Sequence, residues 1–86
     1  MRGVIRLNDS TDHGGRVITA SSTILIDNLP AALVGDLVSC PKEGHSISPI
    51  LPGDGHFLSE NRQVALHGFR AGCGCMLLAS SNGFGE

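Results

Sequence analysis

Residues 20–40 of this chain recur at 53–73. An ungapped shift of 33 positions superposes six identities: Leu25 on Leu58, Asn28 on Asn61, Ala32 on Ala65, Leu33 on Leu66, Gly35 on Gly68 and Cys40 on Cys73. The matches include a turn Asn, a turn Gly and a terminal Cys, which are positions that backbone geometry and ligand chemistry constrain. Repetition of this kind means that one supersecondary unit is used more than once and that its copies bury a common core. A third, shorter echo lies near the N-terminus. There "LNDSTDH" (7–13) reads against "VGDLVSC" (34–40), aligning Asp9 with Asp36 and His13 with Cys40. One unit is therefore expected three times, at about 3–13, 20–40 and 53–73, each ending in a metal-capable side chain: His13, Cys40 or Cys73.

The units read as β-structure. Gly and Pro interrupt nearly every stretch of eight residues, and no window keeps a 3.6-residue apolar period. Short strands are predicted at 3–7, 16–20, 22–27, 31–36, 46–51, 56–60, 63–68 and 75–79. "IDNLPAA" and "SENRQVA" each read as a hairpin turn with Asn at its tip, where positive φ is tolerated. The expected fold is all-β: a small cone of short hairpins with pseudo-three-fold internal repeats, forming one domain over residues 1–86.

Such a domain is short of core material. Among 86 residues there is no Trp, no Tyr and only three Phe, while twelve Gly add to the entropy lost on folding. A chain this size buries only about 60–65% of its unfolded surface, so a metal or a partner is expected to hold it together. Six Lys and Arg against eight Asp and Glu form no basic stripe, which argues against nucleic-acid binding. The longest apolar runs, "AALV" and "MLLA", are too short to span a membrane, and "MRGVIRLND" lacks the apolar segment of a secretory signal. With three cysteines and no export signal, a metal site or free thiols fit better than a disulfide framework.

His13, Cys40 and Cys73, at equivalent ends of three units, can converge on one axis. His45, in "CPKEGH" just after Cys40, is the natural fourth donor. A closed His₂Cys₂ set suits structural zinc and disfavours magnesium or calcium. Cys-x₄-His alone is a common accident; it is the repeat that gives the set its weight. The plainer alternative is small polar residues filling a narrow tip, with Cys acting as a small hydrophobe. Cys75, two residues after Cys73, is an alternative to it, with both on one face if the segment is extended. His67 aligns with Val34 and reads as a strand residue, but it is the next candidate to replace one of the four ligands if the site holds three histidines. His56 aligns with Thr23 and reads as exposed. Asp9, Asp36 and Asp54 read as turn residues accepting backbone N–H groups. "CGC" lacks the helix N-terminus that would activate a redox thiol. No catalytic site is expected: no Ser-His-Asp frame is visible, and four protein ligands leave no open metal position.

At these residues the sequence resembles the PAAR-repeat proteins that tip the bacterial type VI secretion spike. The resemblance rests on "DSTDHGG" (9–15), "LPAALVGDLVSCPKEGH" (29–45), "PGDGHFLSENRQVALHG" (52–68) and "CGCMLLASS" (73–81), in that order. The name motif, Pro-Ala-Ala-Arg, stands here as Pro30-Ala31-Ala32-Leu33, and Phe69 occupies a position where members often carry His. The resemblance implies a β cone with one structural zinc near its point. It implies a broad base seated on the blunt end of a trimeric VgrG-type spike protein, one chain per trimer, with effector cargo carried along. It further implies synthesis in the bacterial cytoplasm and export with the contractile apparatus. Apolar residues such as Ile24, Ile26, Leu29, Val64 and Leu66 are candidates for the base surface. An adaptor that recruits a toxin non-covalently and a small metalloenzyme are the alternatives.

Overall fold

Backbone hydrogen bonds close in rings around an axis inside this single chain. Ile5 N donates to Ala65 O (2.9 Å), Ala65 N to Ala32 O (2.9 Å) and Ala32 N to Ile5 O (2.8 Å). The structure is a computed structural model, and it describes residues 3–12, 14–40, 47–55, 57–59 and 61–80. A second ring repeats the pattern two residues on: Leu7 N to Pro30 O, Val34 N to Gln63 O and His67 N to Gly3 O. The bridges Arg6↔Ala31, Leu33↔Val64 and Val4↔Leu66 complete this triangular layer. Positions 5, 32 and 65 are thus equivalent, and the internal repeat is a pseudo-three-fold in space.

Each side of the triangle ends in the same tight turn. Asp9 N donates to Arg6 O, Asp36 N to Leu33 O and Phe69 N to Leu66 O. The third residue of each turn has positive φ: Asn8 (72°), Gly35 (96°) and Gly68 (94°). Asn and Gly are the residues that adopt this conformation at least cost. In two of the turns the aspartate also accepts the N–H that opens it, Arg6 N to Asp9 Oδ2 and Leu33 N to Asp36 Oδ2, both 2.8 Å. This is the turn role expected of Asp9 and Asp36.

After the turns, three hairpins run away from the triangle side by side. Their outgoing arms are 9–12, 36–40 and 69–72, and their returning arms 15–18, 47–51 and 75–78. The middle hairpin carries β4 (Leu37–Ser39) and β5 (Ile47–Pro49), and β1 (Arg16–Val17) completes a sheet of order β1-β4-β5, all antiparallel. Neighbouring hairpins are joined by a further ring: Ile18 N to Leu37 O, Leu51 N to Arg70 O and Leu78 N to Ser10 O. Two small hairpins precede the triangle, β2–β3 (Leu25–Ile26 with Leu29–Pro30) and β6–β7 (Leu58–Ser59 with Arg62–Gln63). Their tips hold Asp27 (φ 53°), Asn28 (71°) and Asn61 (68°), as the Asn-centred turns predict.

The result is a small cone of short hairpins, 32 × 22 × 20 Å, with no helix among the described residues. Its core is stacked in layers of three: Ile5, Ala32 and Ala65, then Val17, Ile50 and Leu77, then Val38 and Ala71 with Thr11. Aliphatic side chains with one threonine fill these layers, which is how the chain manages with three Phe. The strands are shorter than the sequence pattern predicts. Segments 31–36 and 63–68 do not form single strands but bend at the turns, and 37–39 is a strand the pattern misses. Three-fold wrapping is the cause: each segment pairs at either end with a different neighbour, so no ladder extends far. Val64 and Leu66 are fully buried, so they cannot contribute to a base surface. Ile24, Ile26 and Leu29 are half-buried, and the exposed large apolar residues of the two small hairpins are the equivalent pair Leu25 and Leu58.

Candidate metal centre

At the far end of the three hairpins, the equivalence that aligns Asp9, Asp36 and Phe69 carries on to Cys40 and Cys73, four residues further along. Cys40 leaves β4 and is buried; Cys73 is half-buried. The apex of the third hairpin is a tight loop in which Ala71 N donates to Cys75 O and Gly74 N to Ala71 O, both 2.9 Å. Gly74 has φ 92° and open space where a side chain would stand. This loop, rather than an extended segment, brings the Cys73 and Cys75 sulfurs together. The first hairpin makes the same loop, with Thr11 N donating to Gly15 O, Gly14 N to Thr11 O and Gly14 at φ 83°.

Three sulfurs meet here. Cys75 Sγ lies 3.0 Å from Cys40 Sγ and 3.0 Å from Cys73 Sγ. All three lie within 4.8 Å of one another. Cys75 is fully buried, and none of the three is in a disulfide. Burial pushes the Cys75 thiol up to about 12, reinforced by its two sulfur neighbours. Burial also acts upward on Cys73, but polar contact with Cys75, Ser48 and Cys40 outweighs it and holds that thiol down to about 6. The two thiols of the third hairpin are thus pushed in opposite directions, so Cys73 gives up its proton before Cys75 does. Ser48 Oγ is buried with no hydrogen-bond partner of normal geometry, and its influence falls on the Cys73 sulfur beside it. The Arg70 guanidinium donates to Gly74 O (3.0 Å), setting a cation at the loop between the two cysteines.

Thiolates of this kind suit zinc and softer ions. Tetrahedral Zn–S bonds of about 2.3 Å separate sulfurs by roughly 3.8 Å, so the trio would open by less than 1 Å around an ion. The donor set fits a metal. Of the four ligands predicted from sequence, the structure brings Cys40 and Cys73 together, while His13 and His45 lie outside the described residues. Cys75, ranked behind Cys73 by the repeat, touches both. The available signal was the Cys-Gly-Cys spelling of a hairpin apex, which turns two alternate residues toward one point. His67 is not in the cluster: it is exposed, and its Nδ1 accepts from Ala79 N (3.0 Å). His56 also lies outside the described residues.

The fold and site together define a pseudo-three-fold β cone with a sulfur cluster between the end of β4 and the 71–75 loop of the third hairpin. A family model described as PAAR motif matches residues 7–79, and the chain belongs to that family. The motif is found in proteins that tip type VI secretion spikes, which sets the family-level role. A search of curated proteins returned no match. The fold also locates an arginine for the leucine of the name motif. Arg6 is the three-fold equivalent of Leu33; it is buried and donates to Ile26 O (3.0 Å) and Ser80 Oγ (2.7 Å), with Asp27 3.6 Å away. Among the described residues no helix is long and apolar enough to cross a membrane.

Proposed function

We propose that this protein is the non-enzymatic structural tip of a type VI secretion spike, seated on a trimeric VgrG-type protein at one chain per trimer. The observation that carries this is the closed ring of Ile5, Ala32 and Ala65, which gives one chain the symmetry of three. A partner with true three-fold symmetry presents three identical surfaces, and a pseudo-three-fold chain can meet all three at once. The equivalent exposed residues Leu25 and Leu58 supply apolar contacts for that seat. One structural zinc pins the opposite end, with ligands from Cys40 and Cys73 and from His13 and His45; Cys75 competes for one of the four positions. The tip is made in the cytoplasm and leaves with the apparatus. The decisive experiment mixes the chain with a purified trimeric spike protein and measures the mass of the complex. One chain per trimer is expected; three per trimer, or no complex, would sink the proposal.

An adaptor role is favoured by one asymmetry. The middle hairpin exposes Leu37, Ile47 and Leu51, at 37%, 57% and 42%. Ser10 and Arg70 are the equivalents of Leu37, and Gly14 and Gly74 those of Ile47. Leu51 has apolar counterparts in Ile18 and Leu78, but Leu37 and Ile47 have none, and an apolar patch that only one hairpin carries suits a single effector bound beside the tip. Loss of effector capture in Ile47→Lys, with spike binding intact, is the expected result.

A further inference from the structure

We infer that Cys75 is itself a metal ligand, so that the tip ion is held by three sulfurs and one remaining donor rather than by two cysteines and two histidines. The inference rests on the metal-pinned reading above and amends its ligand set. Cys75 Sγ stands 3.0 Å from each of the other two sulfurs, between Cys40 of the second unit and Cys73 of the third. An ion bonded to both Cys40 and Cys73 therefore lies within bonding reach of Cys75. The side chain is fully buried, so it has no solvent-facing alternative. The three-fold equivalents of position 75 are Gly15 and Ser48, neither of which can supply a thiolate. The third unit thus breaks the repeat to deliver two ligands from one loop, and the Gly74 turn makes that possible.

Three thiolates change what the site selects. A neutral imidazole replaced by a thiolate makes the set softer and more negative, which favours divalent thiophilic ions such as zinc and cadmium over harder cations. Three thiolates, one neutral donor and a divalent ion leave a net charge of about −1, and Arg70 at the loop offsets part of it.

The test uses the full chain loaded with cadmium. Cadmium-113 chemical shift and sulfur-to-cadmium absorption both report the number of bound thiolates. The unmodified chain is expected to give a three-sulfur shift, and Cys75→Ser to lose about one third of the absorption while still binding the ion. A two-sulfur shift in the unmodified chain, which needs no variant to fold, overturns the inference and leaves the zinc pin standing. Full absorption in metal-loaded Cys75→Ser does the same. A chain that binds no cadmium and no zinc overturns both.

Discussion

Phe69 shows how one side chain rewrites a repeated contact. At the two equivalent positions, Asp9 and Asp36, the carboxylate is met by hydroxyls: Ser80 Oγ donates to Asp9 Oδ1, while Ser21 donates through N (3.0 Å) and Oγ (3.2 Å) to Asp36 Oδ2. At position 69 the aromatic ring lies instead over Gly53, the equivalent of Ala20 and Ser80. A Cβ on Gly53 would stand 2.7 Å from the Phe69 Cε1 and Cζ atoms. Gly53→Ala is therefore expected to lower stability by about 1–3 kcal/mol through overpacking, and Phe69→Leu in that background to recover part of it. Urea unfolding midpoints of the two variants measure this. A second residue-scale prediction concerns pH. In the metal-free chain the Cys73 thiol is held down to about 6 from an ordinary 9.0, so the unfolded state binds the extra proton between those values. Stability is expected to rise with pH across that window and to be lost as pH falls through about 6. Cys75, raised to about 12, reverses the trend above 9.0, because there the folded state keeps the proton. Cys73→Ser should flatten the lower limb, as read from unfolding midpoints at successive pH values.

The three turns are the elements that convert a flat triangle into hairpins, and their chemistry was partly legible in the sequence. Gly35 and Gly68 were visible as matched glycines, and Asn8 occupies the same site with a side chain at φ 72°. The hierarchy of cost follows from the backbone. Gly68→Ala forces a Cβ into φ 94° and is expected to cost about 1–2 kcal/mol, whereas Asn8→Gly relieves the left-handed conformation and is expected to change stability by less than about 0.5 kcal/mol. Paired thermal melts would decide it, and equal losses in both would refute the equivalence of the turns. Strand extents were less legible. Ala31 and Leu33 alternate with Ala32 as in an ordinary strand, yet they bridge two different partners, Arg6 and Val64. Nothing local in the sequence encodes a change of partner every two residues; that follows only from closing three units on one axis. The sulfur site was half legible for the same reason. Equivalence pointed to Cys40 and Cys73, while Cys75 sits where the repeat is broken, and repeat logic passes over such positions.

At the scale of the molecule, the distribution of cohesion decides what a metal at one end does. The axis is closed by layers of three mostly aliphatic side chains, and the described β-structure consists of two- and three-residue strands joined by single bridges. Domains of this size have a net stability of only about 5–15 kcal/mol even when well packed. A structural zinc site contributes on the order of 10 kcal/mol or more, comparable to the whole. Cys40 and Cys75 lie in different units, so an ion between them ties the outgoing arm of one hairpin to the returning arm of another, adding to a closure that otherwise rests on backbone rings and the small layers between them. Chelation is therefore expected to unfold the chain rather than merely loosen its loops. Hydrogen exchange with and without a zinc chelator measures this at both ends of the axis. Protection at Ala71 and Thr11 N, near the sulfurs, and at Ile5, Ala32 and Ala65 N, in the triangular ring, should be lost together. Were the ring to stay protected after the tip amides exchange, the metal would be a local staple on a base that folds by itself. Protection retained at both ends would remove the pinning mechanism, because the three-fold backbone closure would then be sufficient without any ion.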